Sequence, residues 1–276
     1  MKQRVLTMTR YLLRSLALSW TGIIYLLLTL VYWLVFFPPQ QKTPDSDNYI
    51  VIIGVFGPAM TFLVALSLTT LANQAYNYPL VVRLASRVEY LTAVLLAALL
   101  FSTTLQLLLA VLALISGPDL TLSHIAEIPP IWLAPNILAA VLAMHASDFV
   151  TAGWSRVYIF GVLAIFLLGQ SSGNSVSGWF ANALENIGEI FWQQNWVFLG
   201  NQFTKIADWL TGDGTNKLGG LFGFVFWPFR AMVEAVSRGF FTPSEALAPA
   251  IILLYATILF LLAADFFATK DLSLIE

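Results

Sequence analysis

The chain has no cysteine, only two histidines, and charged residues at just 10% of its 276 positions. The missing thiols exclude disulfides, thiolate metal sites and cysteine nucleophiles together. A soluble domain carries roughly 25% charged residues, so the shortage of charge excludes an ordinary water-facing surface. A net charge of −2 gives no reason to expect nucleic acid as a partner. Apolar residues stand in place of charge: 59% of the chain is hydrophobic and the mean hydropathy is +0.81. No core of this size hides so much apolar surface from water, so lipid is the solvent for much of the chain.

A helix crossing the ~30 Å hydrocarbon layer needs about 20 mostly apolar residues. Six runs answer to that, at 19–37, 50–72, 90–115, 131–147, 156–169 and 249–267. The expected fold is therefore all-α, a polytopic membrane protein with six transmembrane helices forming a single domain. The opening "MKQRVLTMTRYLLRSLALSW" has the basic start of a signal peptide, but the apolar run continues to Phe37 with no small-x-small cleavage site. Residues 1–18 are read as a retained amphipathic cytoplasmic helix leading into the first span.

Lysine and arginine in short loops set the direction of the spans. One side collects Lys2, Arg4, Arg10, Arg14, Arg83, Arg87, Arg156 and Lys270. The loops on the other side, 38–49 and 116–130, hold only Lys42 against Asp45, Asp47, Asp119 and Glu127. Both termini are thus expected in the cytoplasm, residues 73–89 become the main cytoplasmic loop, and 170–248 lies outside.

That loop holds "YPLVVRLASRVEYLTAVLLAALL", from Tyr78 to Leu100. Pro79 suits the first turn of a helix, where a missing N–H costs nothing. Ser86 and Glu89 match the S-x-x-E capping box, in which the serine accepts from the Glu89 N–H and the glutamate reaches back to the serine N–H. The spacing predicts a short helix from Pro79 to about Ala85, a break, and a long span starting at Arg87 with Tyr90 at headgroup depth. Leu80, Val81, Val82 and Leu84 make the short helix too apolar for a solvated connector, so it needs a membrane or a protein to lie on. Taken alone, Arg83 and Arg87 are read as holding the loop against anionic lipid.

The proline-started short helix, the serine break and "SRVEYL" running into "TAVLLAALL" resemble type-2 ATP-binding-cassette permeases. So does the close, "FLLAADFFATKDLSLIE", an apolar helix followed by Lys270-Asp271-Leu272. The resemblance implies a permease subunit, an exporter of the bacterial plasma membrane, working as a dimer with a second copy or a sister permease. It also implies a separate ATPase subunit that docks on the 79–89 helix, with Pro79, Arg83, Ser86, Arg87 and Glu89 as coupling residues. ATP would be bound by that partner, because this chain has no G-x-x-x-x-G-K-[ST] phosphate loop and its "GDGTNKLGG" lacks the spacing. The reading from another class is a non-transporting membrane anchor or signalling subunit of a larger complex.

In the outer segment Phe180, Leu184, Ile187 and Phe191 recur at helical spacing while Asn182, Glu185, Glu189 and Gln193 fall elsewhere, predicting an amphipathic helix. After a turn-rich break at "TGDGTNKLGG", Arg230, Glu234 and Arg238 at i, i+4, i+8 predict a second one, kinked or restarted at Pro228. Other lures carry less. "GQSSG" around Ser171 has the letters of a nucleophile elbow but follows a membrane helix rather than a strand. With His124 and Asp119 near the same face it makes at most a Ser-His arrangement. His145 is expected to pair locally with Asp148, and no metal site is read. Ionisable residues are nearly absent from the spans, which argues against a proton- or ion-coupled carrier. Gln106 and Asn136 are the main polar insertions, read either as interhelical hydrogen-bonding groups or as lining a substrate path.

Overall fold

The computed structural model describes residues 2–38, 45–73, 86–118, 120, 122–148, 150, 173–211, 227–235 and 241–269. Among these residues there is no strand. The helices are α1 (Lys2–Ala17), α2 (Trp20–Phe36), α3 (Ser46–Ala72), α4 (Arg87–Ala113), α5 (Leu122–Ala146), α6 (Gly173–Gln193), α7 (Val197–Thr211), α8 (227–235) and α9 (Ala248–Thr269). The chain divides into two compact units, 1–159 with 228–276, and 160–227.

The first unit is a membrane-type bundle. Among the described residues four helices are long and apolar enough to span a bilayer, Ser46–Ala72, Arg87–Ala113, Ile128–Ala146 and Glu245–Thr269. A fifth is counted if α1 and α2, which meet at 71°, form one broken span. The expected runs 19–37, 50–72, 90–115 and 249–267 fall on α2, α3, α4 and α9. The fourth differs: α5 begins at Leu122 and carries Pro129, Pro130 and Pro135 within it, so helix replaces most of the loop expected at 116–130. Prolines are tolerated in such helices because neighbouring groups satisfy the carbonyls they free. The run 156–169 and the short helix Pro79–Ala85 lie outside the described residues, as do Arg83 and Ser171. The described bundle thus has four to five spans where six were expected.

The elbow between α1 and α2 is built by one serine. Ser19 is extended at the cap, donates its hydroxyl to the Leu16 carbonyl at 2.6 Å and accepts from the Gly22 N–H at 3.2 Å. It closes one helix and opens the next. A side chain at Gly22 would collide with the Leu16 carbonyl, so the bend needs glycine there. In α1 Val5, Met8, Leu12 and Leu16 are buried, while Lys2, Arg4, Arg10 and Arg14 are exposed. Its partner is protein, since α1 packs on α4 and Thr9 Oγ1 reaches the Ala93 carbonyl at 3.4 Å.

α3 is the central helix, packed on both α4 and α5, and α9 closes on α5. Side-chain donors join the spans to one another's backbone carbonyls. Tyr25 donates to Leu63 at 2.9 Å, Tyr32 to Ile52 at 3.0 Å, Tyr49 to Ala110 at 3.0 Å and Trp132 to Ile50 at 3.1 Å. Such bonds contribute about 0.6–2 kcal/mol each in lipid, where no hydrophobic force draws one apolar helix to another. The outward faces stay apolar, as with Val55 on α3, Leu107 on α4 and Leu261 on α9, each more than half exposed.

In the second unit α6 and α7 form an antiparallel hairpin. Asn195 takes a left-handed conformation (φ 63°), the Asn195 N–H bonds the Trp192 carbonyl at 3.1 Å, and the Trp196 N–H bonds the Phe191 carbonyl at 2.9 Å. This is a Schellman cap, and the apolar contact that accompanies it is the Phe191–Trp196 stack at 6.0 Å. Gly188 lets the helices touch, its missing Cβ lying 3.3 Å from the Gly200 carbonyl and from Phe203. Gly188 is buried where Ile187 was expected inward; Ile187 is 39% exposed. α7 was not anticipated, although Leu199, Phe203, Ile206 and Leu210 repeat at helical spacing. In the first unit Pro228 lies in the first described turn of α8, and Arg230 donates to Glu234 at 2.6 Å, while Arg238 lies outside the described residues.

Candidate functional site

Two polar constellations stand out in the bundle, and both contain residues marked from the sequence. The first is at the start of α4. Ser86 is extended and caps the helix, its hydroxyl accepting from the Val88 N–H at 3.2 Å. The break before the span is as expected, but the bond goes to Val88 rather than Glu89. The reciprocal half of the capping box does not form, because Glu89 is turned into the protein instead of back along the backbone. It is 7% exposed and its Oε2 has no hydrogen-bond partner. Arg87 donates from Nη1 to the Ala268 carbonyl at 3.3 Å. That carbonyl belongs to the last turn of α9, where orphan acceptors and the helix dipole both favour a cation. Tyr90, expected at headgroup depth, is fully buried and donates to the Ala72 carbonyl at the end of α3 at 3.2 Å. The first turn of α4 therefore holds the ends of α3 and α9 at once. Nothing in the sequence foretold these partners, since both are far along the chain.

The second constellation lies nearer the other end of the bundle, nineteen residues and roughly 28 Å along α4 from Arg87. Gln106 and Asn136 are brought together. Asn136 Nδ2 donates to Gln106 Oε1 at 2.7 Å, and Gln106 Nε2 donates to the Ile53 carbonyl at 3.0 Å. Both residues are buried, at 1% and 0% exposure, so the pair joins α3, α4 and α5. Gly57 makes the room, because a Cβ there would run into the Gln106 amide and lie 2.6 Å from Asn136 Oδ1. One turn further along α3, Thr61 donates to Ser102 at 2.8 Å. Asn136 Oδ1 has no hydrogen-bond partner. Gly57 was missed in the sequence; its signal is a small residue directly before Pro58 within an apolar span.

His145 does not depend on its own helix end alone. Its Nε2 lies 2.8 Å from the Leu259 carbonyl of α9, a contact between spans. Among the described residues no cluster of histidine and carboxylate has the make-up of a metal site. No family model matches the chain, and no curated protein or solved structure matches it either.

Proposed function

We propose that the chain is the permease subunit of a type-2 ATP-binding-cassette transporter of the bacterial plasma membrane. In this reading it exports its substrate as a pair with a second copy or a sister permease. A separate ATPase binds ATP and docks on the cytoplasmic segment 79–89. The observation that carries the reading is the first turn of α4, where Arg87 and Tyr90 hold the ends of α9 and α3. A displacement of the segment ahead of Ser86 reaches three spans through that turn. The ATPase does work on the bundle only as far as its two states differ in their contacts with this segment.

The mutual engagement of Gln106 and Asn136 favours the second reading, a membrane anchor or signalling subunit, because a substrate path along them requires their hydrogen bond to open. One experiment separates the two. The chain is purified in mild detergent with and without a trapped ATP analogue, and the co-purifying subunits are identified. A stoichiometric ATPase is expected, and Arg83→Glu is expected to uncouple ATP hydrolysis from transport while the protein still inserts. A complex with no nucleotide-binding chain, or normal transport by the variant, overturns the permease reading.

A further inference from the structure

The seam between α2 and α3 is polar at one end and apolar along the rest. At the elbow end a cavity of about 370 Å³ is lined by the hydroxyl residues Ser15, Ser19, Thr21, Ser67 and Thr70. Ser19, Ser67 and Thr70 spend their hydroxyls on protein partners. Among the described residues Ser15 and Thr21 have no such partner, so two donors are left facing the cavity. Further along, α2 and α3 enclose a groove of about 270 Å³ lined by residues such as Leu28, Val35, Phe36, Val55, Ala59 and Leu63. Its single hydroxyl, on Tyr32, is committed to the Ile52 carbonyl. Cavity and groove lie on the same stripe of both helices. Between them Tyr25 pins α2 to α3 through Leu63 and Ser67.

We infer that this seam is a binding site for an anionic bilayer phospholipid, its headgroup in the hydroxyl cavity and one acyl chain along the groove. The inference needs only that the bundle sits in a membrane and holds whatever the chain transports or anchors. Charge complementarity supports it: α1, whose last turn lines the cavity, carries four exposed cations and no acidic residue. The cavity's own lining carries no charge, so the attraction for an anionic headgroup comes from the α1 cations outside it, Arg14 next to Ser15 foremost. The shape supports it too. A hydrocarbon chain is thin enough, and it passes the Tyr25 pin on the lipid side, where Leu28 and Leu63 are exposed. From Thr21 to Val35 the seam runs about 21 Å, longer than the ~15 Å of one leaflet's hydrocarbon, so the chain lies extended.

The test is native mass spectrometry of the delipidated full chain, titrated with phosphatidylglycerol, phosphatidylcholine or inorganic phosphate. One phosphatidylglycerol is expected to bind in preference to phosphatidylcholine, with no adduct from phosphate alone. Arg14→Gln is expected to reduce that preference about fivefold. The double variant Ser15→Ala, Thr21→Val should abolish it, and neither change removes a hydrogen bond from the fold. Ala59→Phe, at an exposed groove position, should weaken retention of both lipids. Equal uptake of the two lipids, phosphate adducts that displace lipid, or variants that all behave like the parent each overturn the site. Loss of dimer without loss of lipid in Ala59→Phe assigns the groove to a second copy and overturns it as well.

Discussion

At the scale of single residues, this bundle is held by a few polar side chains whose value depends on what each leaves behind when removed. Gln106 and Asn136 look equivalent in the sequence, two amides in two apolar spans. The structure makes them unequal. Gln106 uses both ends of its amide, on Ile53 and on Asn136, whereas Asn136 Oδ1 is already without a partner. Gln106→Leu leaves a wholly unpaired buried amide at position 136 and is expected to cost about 2 kcal/mol. Asn136→Leu removes an orphan oxygen along with the bond and should cost less than half of that. The double variant should recover part of the Gln106→Leu loss. Equilibrium unfolding in mixed micelles checks this, and equal single-variant costs would contradict it. The sequence revealed which residues were polar and which helices carried them. It did not reveal the partners, because pairing across 30 or 53 positions depends on helix rotation, which apolar spans leave open. Arg87 makes the same point: its cationic character was legible, its carbonyl at Ala268 was not.

At the scale of elements, the helices that end in a local signal were read best. Ser86 stops the loop and starts α4 as its residue type predicts, and the elbow at Ser19 is written in a serine followed closely by a glycine. α5 starts earlier than expected because Pro129 and Pro130 weigh heavily against a helix in water and much less in lipid. The α6–α7 hairpin shows a different failure. An apolar stripe of Phe180, Leu184, Ile187 and Phe191 was visible, but contact is set by Gly188 and Gly200, residues that propensity counts against a helix. The turn depends on Asn195 at positive φ, where a branched side chain is strained. Asn195→Gly is expected to leave the hairpin intact, while Asn195→Val should destabilise it by about 1–2 kcal/mol. Hydrogen exchange of the amides from 188 to 200 reads the difference. Uniform exchange in both variants would mean that the Phe191–Trp196–Phe203 stack, not the cap, holds the turn.

At the scale of the whole molecule, the count of spans and the distribution of charge constrain each other. The described helices give five crossings when the α1–α2 elbow is taken as one, and an odd number puts the two termini on opposite faces. The basic residues say otherwise: Lys2, Arg4, Arg10 and Arg14 before the first span match Lys270 after the last. An even number reconciles them, and the run expected to supply the remaining crossing is 156–169, fourteen residues reaching about 21 Å if helical. A crossing of that length would be short for a ~30 Å layer and would call for local thinning of the bilayer or snorkelling of Arg156. The absence of cysteine makes the question easy to settle, because any introduced thiol is the only one present. With a membrane-impermeant maleimide, Asn48→Cys should label in intact cells and Ser86→Cys only after permeabilisation. Asn195→Cys then decides the fifth run. Labelling in intact cells means that 156–169 crosses, that the hairpin lies outside and that the bundle has six spans. Labelling only after permeabilisation means that the run turns back, the hairpin is cytoplasmic, and the last span carries the chain out of the cell. The carboxy terminus would then lie far from any cytoplasmic ATPase.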